Sequence, residues 1–532
     1  MCRSRISYFQ ILRSRTPWQS VCTCGRASMK HLTTIALSGL VWAGCIDLDL
    51  QNTAPAGLTD SPDSPDAPDA PDATDAIDAT DPASLGDIVA RHSDRSFRLP
   101  NNLPIVDASG VFTTVSSAGF IDLNNEFFQD LGTNGRRCVS CHVPTAGWSV
   151  TPAQLRLVFE LTRGGALDNG FGLGAVFRTN DGANSPTADV STVAKRRAAY
   201  SMLLNRGVIR VGLSIPANAE FELAAVDDPY HFASARELSL FRRPLATANL
   251  KFTSTVMWDG RETVAGATVA SDLTTQANDA TTGHAQGGPL SAAQRASIVD
   301  FETALASAQI FDTRARDLRD AGGRGGPDAI HDQDFYIGIN DNFGDSVTGA
   351  PFTPIVFDLY DAWTRARGPA ANARRAVARG QALFNTKPIA ISGVSGINDE
   401  AAFGKPTLVT GTCTTCHDTP NGGSHSVVAP LNIGLAAASR RTPDMPLYTL
   451  RNKTTGETVQ VTDPGRALIS GKWAHIGRFK GPMLRNLAAR APYFHNGSAA
   501  TLAAAVDFYD ERFSIGFTAA EKADLVAFLR SL

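Results

Sequence analysis

Apolar residues recur at helical spacing in several stretches of the chain. In residues 291–307 (SAAQRASIVDFETALAS) they lie three and four positions apart, as on one face of a helix: Ile298, Phe301 and Leu305. Ser291 and Gln294 form the pattern of a capping box at the start of this stretch. Residues 518–532 (TAAEKADLVAFLRSL) repeat the capping pattern. Both stretches are therefore predicted to be helices with one buried face.

Other stretches have different patterns. Residues 370–385 (AANARRAVARGQALFN) are predicted to form a third helix. Apolar and polar residues alternate in 207–215 and 220–226, which predicts a short β-hairpin. Residues 159–190 and 320–352 are rich in Gly, Asp and Asn and are predicted to be loops. The predicted fold class is mainly α, with long loops and one small hairpin.

The N-terminal residues have the pattern of an export signal. From Met29 the sequence reads MKHLTTIALSGLVWAGC. This is a short basic segment followed by an apolar run of signal-peptide length, which is too short to span a bilayer. Its end resembles a bacterial lipobox, although Trp42 stands where Leu is usual. We expect residues 1–45 to be a leader and Cys45 to be lipidated. Ordinary signal-peptide cleavage nearby and a start at Met1 stay open.

An Asp/Pro/Ala tract follows the leader. Residues 60–84 lack apolar periodicity, so they cannot bury enough surface to offset the entropy of ordering. Prolines and like charges keep such a segment extended. We therefore predict a disordered tether over 46–84, and a protein held at the outer membrane in the periplasm by a lipid anchor only.

Composition limits the possible functions. The chain has 532 residues, enough for two or three domains with substantial cores. Its net charge of −3 argues against nucleic acid as a partner.

One five-residue pattern occurs twice, as CVSCH at 138–142 and as CTTCH at 413–417. Two thiols at this spacing reach the two vinyl groups of one haem and form thioethers, and the adjacent histidine ligates the iron. The predicted anchors and iron ligands of two covalent haem c groups are Cys138, Cys141 and His142, and Cys413, Cys416 and His417.

Paired cysteines have two other common uses. A zinc site built from two C-x-x-C pairs does not need a histidine after each pair. A redox C-x-x-C usually occurs once, beside a βαβ pattern. The remaining cysteines all lie in the first 45 residues, so none is left for disulfides downstream: Cys2, Cys22, Cys24 and Cys45. Haem is therefore favoured.

Two further motifs resemble those of a known family. FKGPMLRNLAARAPYFHNGSAATLAAAVDFYD at 479–510 and MWDGRE at 257–262 look like the signatures of bacterial dihaem cytochrome c peroxidases and the related MauG proteins. The resemblance covers roughly 100–532 in motif order. The long gap between the haem motifs is also similar to RoxA-type rubber oxygenases. The resemblance implies two cytochrome c-like domains, at 85–365 and 366–532, each enclosing a haem.

The resemblance also implies a division of labour. The N-terminal haem would have an open face where peroxide or dioxygen reacts. The C-terminal haem would relay electrons from a small redox protein, such as a cytochrome c or a cupredoxin. Trp258 matches the tryptophan that links the haems, with a plain core aromatic as the alternative. Asn249 and the backbone carbonyls of Arg490 and Pro492 match a calcium site.

The second haem departs from the peroxidase pattern. Peroxidases have a methionine ligand fourteen residues after the histidine of PYFH, whereas counting from His495 gives Tyr509, as in MauG. A hard phenolate favours higher oxidation states of iron. Tyr509 is the predicted second ligand, or else a residue of an apolar helix face. The other candidate ligands are Met445, Met483, His425 and His475.

The first haem departs too. No histidine lies between His142 and His231, so the capping loop histidine of the peroxidases is missing and an open iron is predicted. Gln276 matches the family's glutamine, but Gln286 stands at the place of its distal carboxylate. An amide cannot take the proton of peroxide. His284 is therefore predicted to be the acid–base group, with an iron ligand or a surface loop residue as alternatives.

The expected function is reduction of hydrogen peroxide at the N-terminal haem with electrons from the C-terminal haem. Two alternatives remain. One is a MauG- or RoxA-like oxidase or oxygenase acting on an organic or protein substrate. The other is a dihaem electron carrier without enzymatic activity.

Overall fold

The computed structural model of the protein describes residues 97–167 and 172–532. The predicted leader 1–45 with Cys45 and the predicted tether 46–84 lie outside the described residues, so both stay predictions. Within the described ranges, no helix has the length and hydropathy needed to cross a membrane.

Helices are spread along the whole described part. The described residues form ten α-helices: α1 Pro152–Thr162, α2 Val193–Ala199, α3 Ser201–Arg206, α4 Val269–Gly283, α5 Ala292–Ala304, α6 Asp328–His331, α7 Ala371–Thr386, α8 Ala467–Ser470, α9 Leu502–Phe513 and α10 Ala519–Arg530.

Short strands lie between the helices. The described strands are β1 Arg98–Pro100, β2 Ile105–Val106, β3 Gly110–Ser116, β4 Phe120–Asp122, β5 Ile209–Leu213, β6 Phe221–Asp227, β7 Leu238–Arg242, β8 Leu305–Asp312, β9 Arg316–Asp317, β10 Ile389–Ile391, β11 Val409–Gly411, β12 Leu447–Asn452 and β13 Thr458–Val461. They form small antiparallel sheets with the orders β1-β4, β10-β11, β13-β12-β6, β2-β3-β8-β9 and β5-β7. The sequence predicted far fewer strands, because strands this short give almost no periodic pattern.

The three predicted helices are confirmed as α5, α7 and α10. At the start of α5, the Ser291 hydroxyl accepts from the Gln294 amide at 3.2 Å, and the Gln294 side-chain oxygen accepts from the Ser291 amide at 3.0 Å. The helix ends earlier than predicted, since Leu305 already belongs to β8. That strand pairs with β3, which ties the end of the helix to a sheet.

Helices α7 and α10 pack closely across the C-terminal part. A Cβ atom at Gly380 of α7 would lie 2.0 Å from the carbonyl oxygen of Asp524 in α10, so only glycine allows this approach. The aromatic rings of Phe384 and Phe528 meet beside the contact, with centroids 5.8 Å apart. This helix pair forms one wall of the cavity described below.

The predicted hairpin was wrong. The strands β5 and β6 both exist, but β5 pairs with β7 and β6 pairs with β12. Phe221 of β6 is fully buried in a core with Tyr448 and Leu450 of β12. Alternation predicts that a strand has one buried face, but it does not identify the partner strand.

This pairing joins distant parts of the chain. Strand β6 lies in the predicted N-terminal domain 85–365, and β12 lies in the predicted C-terminal domain 366–532. The two predicted domains therefore share a sheet, and the boundary between them stays a prediction.

Candidate functional site

Both cysteine motifs fold into the same single turn. Cys138–Ser140 and Cys413–Thr415 are 3-10 turns, and the amide of each following histidine donates to the carbonyl of the first cysteine, at 3.0 and 3.2 Å. The hydroxyl of the third residue, Ser140 or Thr415, accepts from the backbone amide just before the turn. Local hydrogen bonds therefore hold both motifs in one conformation, with each thiol pair and its histidine fixed relative to each other.

Each of the two histidines is oriented by a backbone carbonyl. Nδ1 of His142 lies 3.4 Å from the carbonyl oxygen of Trp148, and Nδ1 of His417 lies 2.6 Å from that of Gly423. A carbonyl can only accept, so each Nδ1 carries the proton and each Nε2 keeps a lone pair for a metal. Burial lowers the pKa of His142 to about 4 and also lowers that of His417. Both rings are therefore neutral at physiological pH, as iron ligation requires.

The second motif faces a large, mainly apolar cavity. Cys413, Cys416 and His417 line it together with Phe384 of α7 and Tyr509 of α9. Burial raises the pKa of both thiols to about 12, so they are protonated at physiological pH. The cavity is lined by the residue types that enclose a flat apolar group.

The first motif faces a second cavity. Cys141 and His142 line it with Gln276 of α4 and Glu302 of α5. The predicted Gln276 is thus placed beside the motif. Glu302 was not predicted, although it lies four residues after Ile298 on the apolar face of its helix, where an acidic residue is unusual.

Trp258 lies in the wall between the two cavities and lines both. Its indole N–H donates to the carbonyl oxygen of Arg243 at 2.8 Å, and its own carbonyl accepts from the amide of Lys480 at 2.9 Å. The alternative of a plain core aromatic accounts less well for this position, because the ring contacts both cavities instead of one core.

Three cations share this wall. Arg243, Lys480 and Arg490 line both cavities, and within the described residues they donate to backbone carbonyls and form no ion pair with a carboxylate. Burial lowers the pKa of Lys480 to about 8. Arg243 is buried and Lys480 and Arg490 are half-buried, and cations withdrawn from water in this way are normally paired with an anion. A haem brings two propionate carboxylates, so the cations, the thiol pairs and the histidines fit two haem groups placed on either side of this wall.

A buried ion network holds the loop of Trp258. Arg242 contacts the carboxylate of Asp259 at 2.5 Å and makes two bonds to Asp463, at 2.8 and 2.9 Å, and all three side chains are at most 2% exposed. Opposite charges raise the pKa of Arg242, although burial acts against this. Since Asp463 lies in the C-terminal half of the chain, the network fixes the tryptophan loop to that half.

The sequence analysis assigns no role to His495, but this residue is part of the site. It is 1% exposed, it lines the cavity of His417, and no described residue hydrogen-bonds either of its ring nitrogens. Its ring stacks on Phe479 at 3.9 Å and lies 6.2 Å from the ring of Trp258. Burial lowers its pKa to about 4, so it is a neutral donor and acceptor facing the cavity.

His284 and Gln286 lie outside the lining of the His142 cavity, although the charge of His284 contributes, after the larger effect of burial, to lowering the pKa of His142. Nδ1 of His284 lies 2.5 Å from a carboxylate oxygen of Asp181, and the imidazole is 38% exposed. Gln286 is exposed and bonds to the loop at Thr133 and Asn134. Neither residue lines the cavity that holds His142 and Gln276. This placement does not favour the predicted acid–base role of His284.

Two of the three predicted calcium ligands, Asn249 and the carbonyl of Arg490, already have protein partners. The side chain of Asn249 donates to the Ser307 carbonyl at 2.9 Å and accepts from its amide at 3.1 Å. The carbonyl of Arg490 accepts from the guanidinium of Arg243 at 3.0 Å. A positively charged group thus lies where the cation was expected, so the geometry gives calcium no support and the calcium site stays a prediction.

The candidate ligands of the predicted second haem lie in different parts of the fold. Met483 lines the cavity of His417, as does Tyr509. His425 is 3.0 Å from the Asp418 carboxylate, and His475 bonds to the Ser470 hydroxyl at 2.9 Å. Met445 is buried in another core. Tyr509 and Met483 are therefore the predicted candidates that the fold brings near the motif.

Comparison with known proteins gave partial matches. No family model matches the chain. The cytochrome-c peroxidase IdrP2 of Denitromonas iodatirespirans is 33% identical over 132 residues, which are 23% of this chain and 36% of that protein. The cytochrome-c peroxidase IdrP1 of Pseudomonas sp. (strain SCT) is 28% identical over 140 residues, with the same two shares. The match thus spans about a third of the length of these curated relatives.

Among solved structures, the crystal structure of a MauG-like protein associated with microbial copper homeostasis is similar in part. It is 19% identical, with a TM-score of 0.30, and the match covers 56% of this chain and 76% of that one. Over the part that they match, the two curated cytochrome-c peroxidases agree with the resemblance to bacterial cytochrome c peroxidases that the motifs indicate.

Proposed function

We propose that this chain is an exported dihaem c oxidoreductase that reduces hydrogen peroxide at the site of His142 with electrons relayed from the site of His417. One observation supports this most strongly: two cavities, each lined by one cysteine–histidine motif, share a wall that contains Trp258. The names of the two curated relatives, both cytochrome-c peroxidases, agree with it.

The residues of the chain have distinct tasks in this proposal. The thiols of Cys138, Cys141, Cys413 and Cys416 attach the two groups, and the histidines after them supply Nε2 to iron. The bound haems supply the electron transfer. Trp258 offers a fixed aromatic ring between them, held by its bond to Arg243. The buried cations of the wall neutralise the propionates.

The two sites differ in what they offer to a ligand. Gln276 lines the cavity of His142, and its amide binds iron poorly. An iron bound to His142 would therefore stay accessible to a small molecule. The cavity of His417 contains the phenol of Tyr509, which we propose is the second iron ligand. A closed site suits electron relay from a small redox protein, and an open one suits peroxide.

A pair of variants tests the division of labour. Turnover is measured with hydrogen peroxide and a reduced cytochrome c as donor. Cys413→Ala with Cys416→Ala should leave a protein that binds small ligands but does not turn over. Cys138→Ala with Cys141→Ala should leave a haem that the donor still reduces but that peroxide does not oxidise. If turnover persists in the second variant, the proposed peroxide site is wrong.

A second function is favoured by Tyr509. A phenolate ligand stabilises oxidised iron, which suits an enzyme that stores oxidising equivalents for an organic or protein substrate. Such an enzyme would react with peroxide yet fail to oxidise reduced cytochrome c, and it would oxidise an added aromatic or peptide substrate instead. A pure electron carrier would bind neither peroxide nor cyanide at either iron.

A further inference from the structure

The two halves of the chain repeat one pair of helices. Helix α4 is capped by Thr268 and helix α9 by Thr501, each through a hydroxyl that accepts from the amide three residues on. The eighth residue after the cap is Gln276 in the first half and Tyr509 in the second. Both line the cavity of their own half. The two helices therefore present equivalent positions to equivalent cavities.

The next helix extends the correspondence. Helices α5 and α10 both begin with a capping box, at Ser291 and at Thr518. The eleventh residue after the cap is Glu302 in the first half and Leu529 in the second, and again both line their cavities. The first half thus has a carboxyl group where the second half has a leucine.

Burial of the Glu302 carboxyl group destabilises the folded protein. Glu302 is 4% exposed, and no described residue donates to its Oε2 atom. Burying an unpaired polar group costs about 1–3 kcal/mol in proteins, and leucine at this place would avoid that cost. Burial raises the pKa of Glu302 to about 8, so the group can take and give a proton near neutral pH. When ionised, Glu302 also raises the pKa of Cys138, after the larger effect of burial.

We propose that Glu302 is the acid–base residue of the His142 site, in place of the carboxylate that the loop at Gln286 lacks. This assignment rests on the proposed function. Glu302 shares the cavity with His142 and Gln276, whereas His284 is paired with Asp181 outside it.

The step that Glu302 performs is a proton transfer between the two oxygens of hydrogen peroxide. Its carboxylate takes the proton of one oxygen and gives it to the other, which leaves as water when the O–O bond breaks. The two electrons needed to break the O–O bond would be supplied by the bound reduced haems, one from each. The remaining oxygen becomes the second water with two protons from solvent. Such a group supplies about 10²–10⁴-fold in rate.

Cyanide tests the proton transfer without relying on turnover. Hydrogen cyanide must lose its proton to bind ferric iron, so its binding rate reports the base at the His142 site. Glu302→Gln and Glu302→Leu should slow both cyanide binding and the reaction with peroxide by about 10²-fold or more. Both haems and the resting spectrum should be retained. The leucine variant repeats the residue of the second half, so it keeps the packing if the glutamine variant does not fold.

Two controls complete the test. Glu160→Gln makes the same chemical change on the exposed face of α1 and should leave both rates unchanged. His284→Gln should change them less than about threefold. Rates within about threefold of the parent in the Glu302 variants would overturn the assignment, and a large loss in His284→Gln would give the role to that residue. Slow cyanide binding in a protein that does not react with peroxide would keep Glu302 and reject the proposed function.

Discussion

At the scale of single residues, the two cavities differ by a few side chains on similar frames. Gln276 and Glu302 in one correspond to Tyr509 and Leu529 in the other. The first pair is polar and does not close the site. The second pair offers a phenol and an apolar surface. The proposed difference in chemistry between the two sites therefore depends on the residues at two helix positions.

Tyr509→Phe should convert the haem at His417 from low to high spin. Burial raises the pKa of the Tyr509 phenol, so the phenol binds as phenolate only where the iron displaces its proton. Phenylalanine has no hydroxyl oxygen and therefore cannot bind the iron. Tyr493→Phe is the matched control, because Tyr493 lines the same cavity but donates its hydroxyl to the Leu487 carbonyl at 3.0 Å. Electron paramagnetic resonance of the resting protein measures the outcome.

An unchanged low-spin signal in Tyr509→Phe would exclude Tyr509 as ligand. His495 would then be the first residue to replace, because its two free ring nitrogens face the same cavity. Loss of the low-spin signal in His495→Phe, but not in Tyr509→Phe, would assign the ligand to His495.

Residues of the site could be predicted where their chemistry depends on local spacing. The six residues of the cysteine–histidine motifs are of this kind. The roles of Glu302 and His495 could not be predicted, because they depend on the lack of a hydrogen-bond partner among the described residues, which only the structure shows. A single sequence shows that Glu302 lies on an apolar helix face, but not that its oxygen is left without a partner.

At the scale of elements, a buried ion network holds the loop of Trp258. Arg242 stands at the end of β7 and binds Asp259 of the loop and Asp463 of the other half. Arg242→Met would leave two buried carboxylates without their main partner. We expect it to lower the free energy of unfolding by about 3–5 kcal/mol, as measured by urea denaturation.

The control for this variant is an exposed ion pair. Lys472 is 60% exposed and contacts Glu220 at 2.9 Å. Lys472→Met should change stability by at most about 1 kcal/mol. If Arg242→Met were as mild as this control, the network would not be what holds the loop.

Helices were predicted better than strands, for a physical reason. The helices at 292–304 and 519–530 can be predicted because each begins with a capping box and has an apolar face over three turns. Strand β6 has a clear pattern too, but its partner β12 lies more than two hundred residues away. Nothing in the pattern of one strand identifies a partner at such a distance, so the hairpin prediction failed.

At the scale of the whole molecule, many contacts join the two halves, and two of them hold large elements of the fold together. Strands β6 and β12 share a sheet, and the ion network of Arg242 links the tryptophan loop to Asp463. Trp258 and three cations that have no carboxylate partner among the described residues line the wall shared by the two cavities. The fold thus holds the two proposed haem sites at a fixed separation, which electron transfer between them needs.

The stoichiometry of oxidation tests the central proposal most directly. The protein is reduced fully, freed of reductant, and titrated with hydrogen peroxide while the absorption of both haems is followed. One peroxide accepts two electrons, so we predict that one equivalent oxidises both haems completely. Trp258→Phe should slow the oxidation of the second haem without changing the end point. Oxidation of one haem alone, or no reaction at one equivalent, would contradict the proposal that the two sites work as one peroxidase.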